Sequence, residues 1–220
     1  MNDIVTIDGP TSSGKNSVGF LLAQKLDYQY IDTGMIYRAG CIKMLQNNVP
    51  SNQLEKILEI YSNLNIRFES DEAWKVFLDE EDVTDKLHTP QISKLVSIVA
   101  AIPKVREVTR GLQRKFGANG GIVIGGRDIG SEIFPDAKYK FWLTASAQER
   151  AKRRYKQLNV KDPSIKYEDV FKDMQDRDKH DSEREASPMR IPEGAIIIDN
   201  TNLTVEQSVN EMLKHIHAQS

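Results

Sequence analysis

The chain has 220 residues, 39% of them apolar and 28% charged, which is enough to close one sizeable core with a small insert and excludes a disordered or fibrous protein. Thirty Lys+Arg against 32 Asp+Glu leave a formal net charge of −2, so no overall positive field draws the molecule to nucleic acid or an acidic membrane, and any bound anion must be held by local groups. Cys41 stands alone and cannot close an internal disulfide, no apolar run approaches the roughly 20 residues that span a bilayer, and the chain opens Met1-Asn2-Asp3 without a basic and apolar leader; a cytoplasmic location is expected.

In chain order, Ile4-Val5-Thr6-Ile7 predicts a strand, the Gly/Pro/Ser cluster after it a tight loop, and Val18, Leu21, Leu22 and Leu26 a helix. Tyr30-Ile31 predicts a second short strand, followed by a break at Gly34 and a helix from Ile36 through Leu45 to the turn at Asn47-Asn48-Val49-Pro50. Two β-α units in succession indicate a parallel sheet. From Asn63 the texture changes to period-2 alternation, Asn65–Glu69 and Trp74–Leu78 around Ser70-Asp71-Glu72, which predicts an antiparallel hairpin set into the chain. The helical stretch from Gln91 to Phe116 should break or kink near Ile102, ahead of Pro103, and Arg106, Arg110 and Arg114 then form one basic stripe. Ile122–Ile124, Phe141–Leu143 and Ala195–Ile198 complete five short strands separated by helices. Between the last two, 22 of the 42 residues from Glu149 to Arg190 are charged, too polar to fill a core, so a solvent-facing, mobile pair of helices is expected there.

The loop Gly9-Pro10-Thr11-Ser12-Ser13-Gly14-Lys15 follows a predicted strand and opens a predicted helix, the context that a phosphate-binding loop requires. Glycines and a tight turn aim backbone N–H groups inward, the helix N-terminus adds partial positive charge, and the lysine reaches the terminal phosphates. The hydroxyl that usually follows the lysine is displaced by Asn16 to Ser17, a spacing typical of nucleotide kinases, which makes Ser17 the candidate magnesium ligand.

An attacking water would need activation, whereas an acceptor phosphate, with a second pKa near ~6, is already a nucleophile at neutral pH. Bringing two polyanions together then demands fixed guanidinium groups. Arg38, one turn into the second helix, and Arg127, directly after the third parallel strand, occupy strand-end positions facing the crevice of an open α/β sheet. Arg177, Asp181 and Arg184 share one helical face, and Arg150, Arg153 and Arg154 another. A phosphate loop with three basic clusters on other segments favours transfer between two phosphorylated substrates over hydrolysis.

Taken together, these residues resemble the bacterial cytidylate kinases, of the nucleoside monophosphate kinase group. The likeness rests on Ile7-Asp8-Gly9-Pro10 with Gly14-Lys15, Asp32–Arg38, Val99–Pro103 with Val105-Arg106-Glu107, Gly126–Gly130, Phe134–Ala137, and Ser146 with Glu149-Arg150-Ala151 and Arg153-Arg154. It implies an α/β fold in which a five-stranded parallel sheet flanked by helices forms the CORE (1–37, 91–149 and 191–220), with a small antiparallel-sheet insert for the monophosphate (about 38–90) and a helical LID (about 150–190). The implied reaction is transfer of the γ-phosphoryl group of ATP to CMP or dCMP, with Mg²⁺, by a monomer that binds small nucleotides and neither nucleic acid nor membrane.

By position, the resemblance implies that Gly9 through Ser17 and Arg150 hold ATP, with Lys15, Arg127, Arg153, Arg154 and Arg184 acting on the transferred group. Ser97, Arg106 and Asp128 would read the cytosine, Arg177 and Asp181 would hold the pentose, and Arg38, Arg127 and Arg184 would clamp the acceptor phosphate, with Thr11, Thr33 and Tyr37 beside it. Asp128 can accept from the exocyclic amine of cytosine and an arginine can donate to its ring carbonyl and nitrogen. Uracil presents an oxygen in place of the amine, a mismatch able to discriminate by factors of ~10⁴.

Asn16 and Ser12 stand where the family commonly has glycine, and Ser12 is expected to be strained if its position needs a positive φ. Asp199 and the neighbouring Asn200 and Thr201 are read as lining the donor-base side rather than binding metal, and the four histidines show no ligand spacing. Two rival readings remain open at this level: a kinase of the same architecture for UMP, AMP or a small metabolite, and a nucleotide-switch protein, against which no Asn-Lys-x-Asp tetrapeptide occurs.

Overall fold

A computed structural model describes residues 3–69, 73–160 and 162–218. The parallel sheet is built from β1 (Ile4–Asp8), β2 (Gln29–Asp32), β6 (Ile122–Gly126), β7 (Tyr139–Thr144) and β8 (Ile196–Asp199), in the order β2-β6-β1-β7-β8. Its helices are α1 (Lys15–Leu26), α2 (Thr33–Gln46), α3 (Leu54–Ser62), α4 (Pro90–Val99), α5 (Pro103–Gly117), α6 (Ala147–Asn159), α7 (Tyr167–Glu183) and α8 (Val205–Ala218). Between α3 and α4 lies a separate antiparallel sheet of β3 (Ile66–Glu69), β4 (Lys75–Leu78) and β5 (Glu81–Asp82).

The central strands β1 and β6 are buried on both faces because helices cover both, whereas on the edge strand β8 Ile197 is exposed. Ile122 and Ile124 point to one side, into a core shared with α2, α3, the small sheet, α4 and α5; Val123 points to the other, against Val5, Ile7, Phe141, Leu143 and α8. All five anticipated strands are present and the sheet is parallel throughout.

Several details differ from the sequence expectation. Gly34 is no break: Asp32 caps α2 by accepting the Gly34 N–H at 2.8 Å, so the helix starts at Thr33. The hairpin is a three-stranded sheet, because Glu81–Asp82 adds an edge too short to show periodicity, and the anticipated turn at 70–72 lies outside the described residues. The break expected near Ile102, by contrast, is present: residues 100–102 interrupt the helix and Pro103 opens α5. The basic stripe of α5 faces the turn after β6: Arg106 pairs with Asp128, Arg110 with Glu132, and Arg114, though exposed, donates to the carbonyls of Ile133 and Glu132. The charged α6–α7 stretch is likewise only half solvated, with Val170, Met174 and Arg150 buried on its inner side.

That turn, one winding of π-helix at Ile129–Ile133, is fixed from below by Asp8. The Asp8 carboxylate at the end of β1 is fully buried and accepts the N–H groups of Ile129 at 2.8 Å and Gly130 at 2.7 Å. Burial raises its pKa to about 6 even though the two N–H donors pull it down. Because the folded chain then binds the proton more tightly than the unfolded one, Asp8 contributes stability below about pH 4 that is lost as the pH rises through 6. In urea unfolding, the stability of the natural chain relative to Asp8→Asn should fall by on the order of 3 kcal/mol between pH 4 and 7; a difference that does not change with pH would contradict this.

Candidate active site

The loop between β1 and α1 is shaped by its glycines. A Cβ on Gly9 would lie 2.1 Å from the Leu143 carbonyl oxygen, so the loop can leave β1 beside β7 only without a side chain there. Gly14 takes a left-handed backbone at φ 93 and caps α1 with no side-chain acceptor, which leaves the first N–H groups of the helix to meet an anion. Lys15 folds back over the loop, its three ammonium donors directed to the carbonyls of Gly9 and Pro10 at 2.7 Å each and to Ser13 Oγ at 3.2 Å. Its pKa is held well below the usual lysine value by burial first and by the Arg127 charge second. Ser12 is left-handed at φ 61, so the strain foreseen for this serine is present. Asn16 sits within α1, where no left-handed backbone is needed, and accepts from Tyr30 at 3.3 Å.

Across the crevice the charged side chains alternate. Arg106 and Asp128 form a buried ion pair; Asp128 also faces Arg184 at 3.5 Å, Arg184 faces Asp181 at 3.7 Å, and Asp181 accepts from Arg127 Nε at 3.1 Å. Arg127 closes the chain on the phosphate loop by donating to Thr11 Oγ1 at 3.1 Å. Burial alone would raise the Asp181 carboxyl, but Arg127, Arg177 and Arg184 outweigh it and hold the pKa low. Burial would lower Arg106, and Tyr37 and Asp128 beside it keep it raised. Tyr37 receives a hydrogen bond from Thr109 at 2.7 Å and lies under the Arg106 guanidinium, 5.7 Å from its carbon to the ring centroid. Arg38 is directed by the Leu87 carbonyl at 2.8 Å and Ser93 Oγ at 3.2 Å, which tie it to the segment before α4 and to α4 itself. Arg177 makes no hydrogen bond or ion pair with any described residue, and burial followed by repulsion from Arg127 lowers its pKa to about 10.

One continuous cavity of about 1320 Å³ joins the two walls. Nine Lys or Arg and five Asp or Glu line it, so a chain of net charge −2 concentrates positive charge in this cavity, which suits a polyanionic ligand. Of the residues singled out from sequence, Thr11 through Ser17, Thr33, Tyr37, Arg38, Ser97, Arg106, Arg127, Asp128, Arg153, Arg154, Arg177, Asp181 and Arg184 all lie on its wall. Gly9 and Pro10 sit behind it and offer carbonyls to Lys15. Arg150 does not face it: its donors go to the carbonyls of Ala145 at 3.1 Å and Thr11 at 2.8 Å and to Asp178.

Three residues escaped the sequence reading in whole or part. Asn200, taken only as a lining residue, is buried and donates to the Ser13 carbonyl at 2.9 Å while accepting from Arg153 at 3.0 Å, so it joins the phosphate loop to α6. Asp8 reads as strand end until the fold shows what it accepts. Asp178 could have been found, since it lies one helical turn before Asp181. Asp199 accepts from the Thr201 N–H and hydroxyl in a local turn, and among the described residues no three His, Cys, Asp or Glu gather as a metal cage.

The left-handed serine has a direct consequence. Ser12→Gly should leave stability unchanged or raise it by a few tenths of a kcal/mol, whereas Ser12→Val should lose about 1–2 kcal/mol, both read by chemical denaturation; equal stability of the two variants would show that φ at this position carries no cost.

Comparison with known proteins identifies the family. The family model described as cytidylate kinase matches residues 5–218. A curated cytidylate kinase of Caldanaerobacter subterraneus is 44% identical over 212 residues, 96% of this chain and 93% of that protein, and one of Carboxydothermus hydrogenoformans is 43% identical, covering 96% of each. Among solved structures, the shikimate kinase of Bacteroides thetaiotaomicron superposes with a TM-score of 0.50 at 12% identity, over 98% of both chains, a likeness of fold. With nearly its whole length matched, the chain belongs to the cytidylate kinase family.

Proposed function

We propose that this protein transfers the γ-phosphoryl group of ATP to CMP or dCMP, giving ADP and CDP or dCDP. The observation that carries the reading is the buried Arg106–Asp128 pair on the wall of a cation-rich cavity whose other wall is a phosphate loop. In that pair a carboxylate oxygen and guanidinium N–H groups stand side by side, the donor and acceptor pattern that cytosine complements with its amine, ring nitrogen and carbonyl. Ser97 would contact the base from α4, and Asp181 with Arg177 would take the pentose.

The transferred group would then pass between Lys15 with the α1 amides on one side and Arg38, Arg127 and Arg184 on the other, Thr11 and Thr33 bordering the same space. Thr33 is held there by its bond to the Gly125 carbonyl at 3.0 Å. Because the acceptor is already ionised, these side chains have to position and neutralise rather than remove a proton. Arg153 and Arg154 on α6 would add charge as the transition state forms, and α6–α7 would act as the LID over the CORE while the region of β3–β5 serves as the monophosphate insert. Arg150, held by Thr11 and Asp178, would support the donor loop from behind.

Mg²⁺ fits this arrangement. The Ser17 hydroxyl is exposed on the cavity wall in the first turn of α1 and forms no bond to described residues, which suits a metal that keeps most of its shell from nucleotide oxygens and water. The metal would supply charge neutralisation between the donor phosphates. No helix among the described residues is long and apolar enough to cross a membrane, and we read the protein as a cytoplasmic monomer acting on small nucleotides.

Steady-state assays with MgATP and a panel of CMP, dCMP, UMP, AMP and phosphorylated metabolites test the assignment: CMP and dCMP should lead by orders of magnitude in kcat/KM, and a better acceptor outside the cytidine nucleotides would overturn it. Asp128→Asn exchanges an acceptor for a group that can also donate, so the ratio of kcat/KM for CMP over UMP should fall at least ~10-fold; an unchanged ratio would remove Asp128 from base recognition.

A further inference from the structure

Asp178 on α7 belongs neither to the cavity wall nor to the alternating charge chain, yet it makes the most direct bond between that helix and the phosphate loop. One carboxylate oxygen accepts the Thr11 N–H at 2.8 Å and the other pairs with Arg150, which in turn donates to the Thr11 carbonyl at 2.8 Å. A closed ring results, from the Thr11 main chain through Asp178 to Arg150 and back. Both side chains of the ring are largely shielded, 16% and 10% exposed, where charge-assisted hydrogen bonds hold geometry well. The Thr11 hydroxyl meanwhile accepts from Arg127, which Asp181 holds from the next turn of α7. A single loop residue is therefore gripped through its N–H, its carbonyl and its side chain, and two acidic residues of one helix lie behind two of those grips.

We infer that Asp178 is a positioning residue for phosphoryl transfer: it sets the height of α7, and with it Arg177, Asp181 and Arg184, against the loop that carries the donor. The inference rests on the kinase reading above. Arg177 precedes Asp178 directly and Arg184 follows at the helix end, so a change at this anchor displaces groups on the acceptor side while the loop it releases belongs to the donor side. Misplacement between two bound reactants costs rate more than binding, and about 1 Å can cost ~10²-fold. Substrate contacts themselves are not removed, because Asp178 reaches the wall only from behind, through Thr11, and does not itself line the cavity.

The test compares Asp178→Ala, Asp178→Asn, Arg150→Ala and the double variant Asp178→Ala/Arg150→Ala by initial rates with MgATP and CMP, and by amide hydrogen exchange of the segment 9–15 without substrate. Asp178→Ala should lower kcat at least ~10-fold with both KM values within about threefold, and should speed exchange of the Thr11 segment. Asp178→Asn, which keeps an acceptor for the Thr11 N–H but loses the charge facing Arg150, should fall between, and it carries the comparison if the alanine variant does not fold. The double variant should be no more than about twofold worse than Asp178→Ala, since both changes open one ring. A kcat within about twofold of the natural chain, a rise in KM with kcat unchanged, or additive losses would each overturn the inference. Absence of CMP kinase activity in the natural chain would instead end the kinase reading, and the exchange arm would still decide the ring: unchanged exchange in Asp178→Ala would show that it anchors nothing.

Discussion

The constraint on which the rest depends is electrostatic. A cavity lined by nine cationic and five anionic side chains sits inside a chain of net charge −2, and burial presses the pKa of Lys15, Arg38, Arg154, Arg177 and Arg184 downward. Guanidinium groups are costly to desolvate, and Asp128 and Asp181 are each shared between two of them. Arg177 has no hydrogen-bonding or ion-pair partner among the described residues. Such a site is incomplete until anions enter it, and entry of one polyanion lowers the repulsion that the next group of cations imposes on itself. In the proposed reading those anions are two nucleotides, and the alternating Asp and Arg residues keep the empty cavity from collapsing or repelling its own walls.

The scaffold serves that charge arrangement at short range. β1 delivers the phosphate loop at its C-terminal end and, through Asp8, fixes the turn that carries Arg127 and Asp128. The parallel neighbour β6 brings Gly125 to Thr33, so the ends of three adjacent strands are cross-linked around one space. Arg38 is aimed by a carbonyl before α4 and a hydroxyl in α4, and Arg153 by Asn200 after β8. Four segments far apart in the chain thus hold cations to one focus, where ligands bind in open α/β sheets.

Much of this was legible in the sequence, for physical reasons that differ by element. The five parallel strands announced themselves through short, mostly apolar runs, with both faces buried in β1 and β6, and the phosphate loop because its glycines answer to backbone demands at Gly9 and Gly14. The arginines could be sorted by spacing on a helix or by position after a strand. What spacing could not show was direction: Arg150 shares a face with Arg153 and Arg154 yet turns away to Thr11, and the shared stripe of Arg106 and Arg110 does not tell that they pair with Asp128 and Glu132. Partners supplied by distant backbone, such as Ile129 N–H for Asp8 or Ser13 carbonyl for Asn200, leave no periodic trace. β5 escaped because two residues cannot display alternation, and Gly34 misled because a glycine in the first turn of a helix resembles one that ends a segment.

The central claim is that one cavity seats two nucleotides with their phosphates facing each other. The most direct measurement is calorimetric binding of a single molecule in which adenosine and cytidine are joined by a five-phosphate chain. The account predicts that it binds at least ~10²-fold more tightly than ATP or CMP alone and that saturating amounts of either nucleotide displace it. Binding no tighter than ATP, displaced by ATP and indifferent to CMP, would contradict the account, because it would leave the acceptor half of the cavity without a ligand.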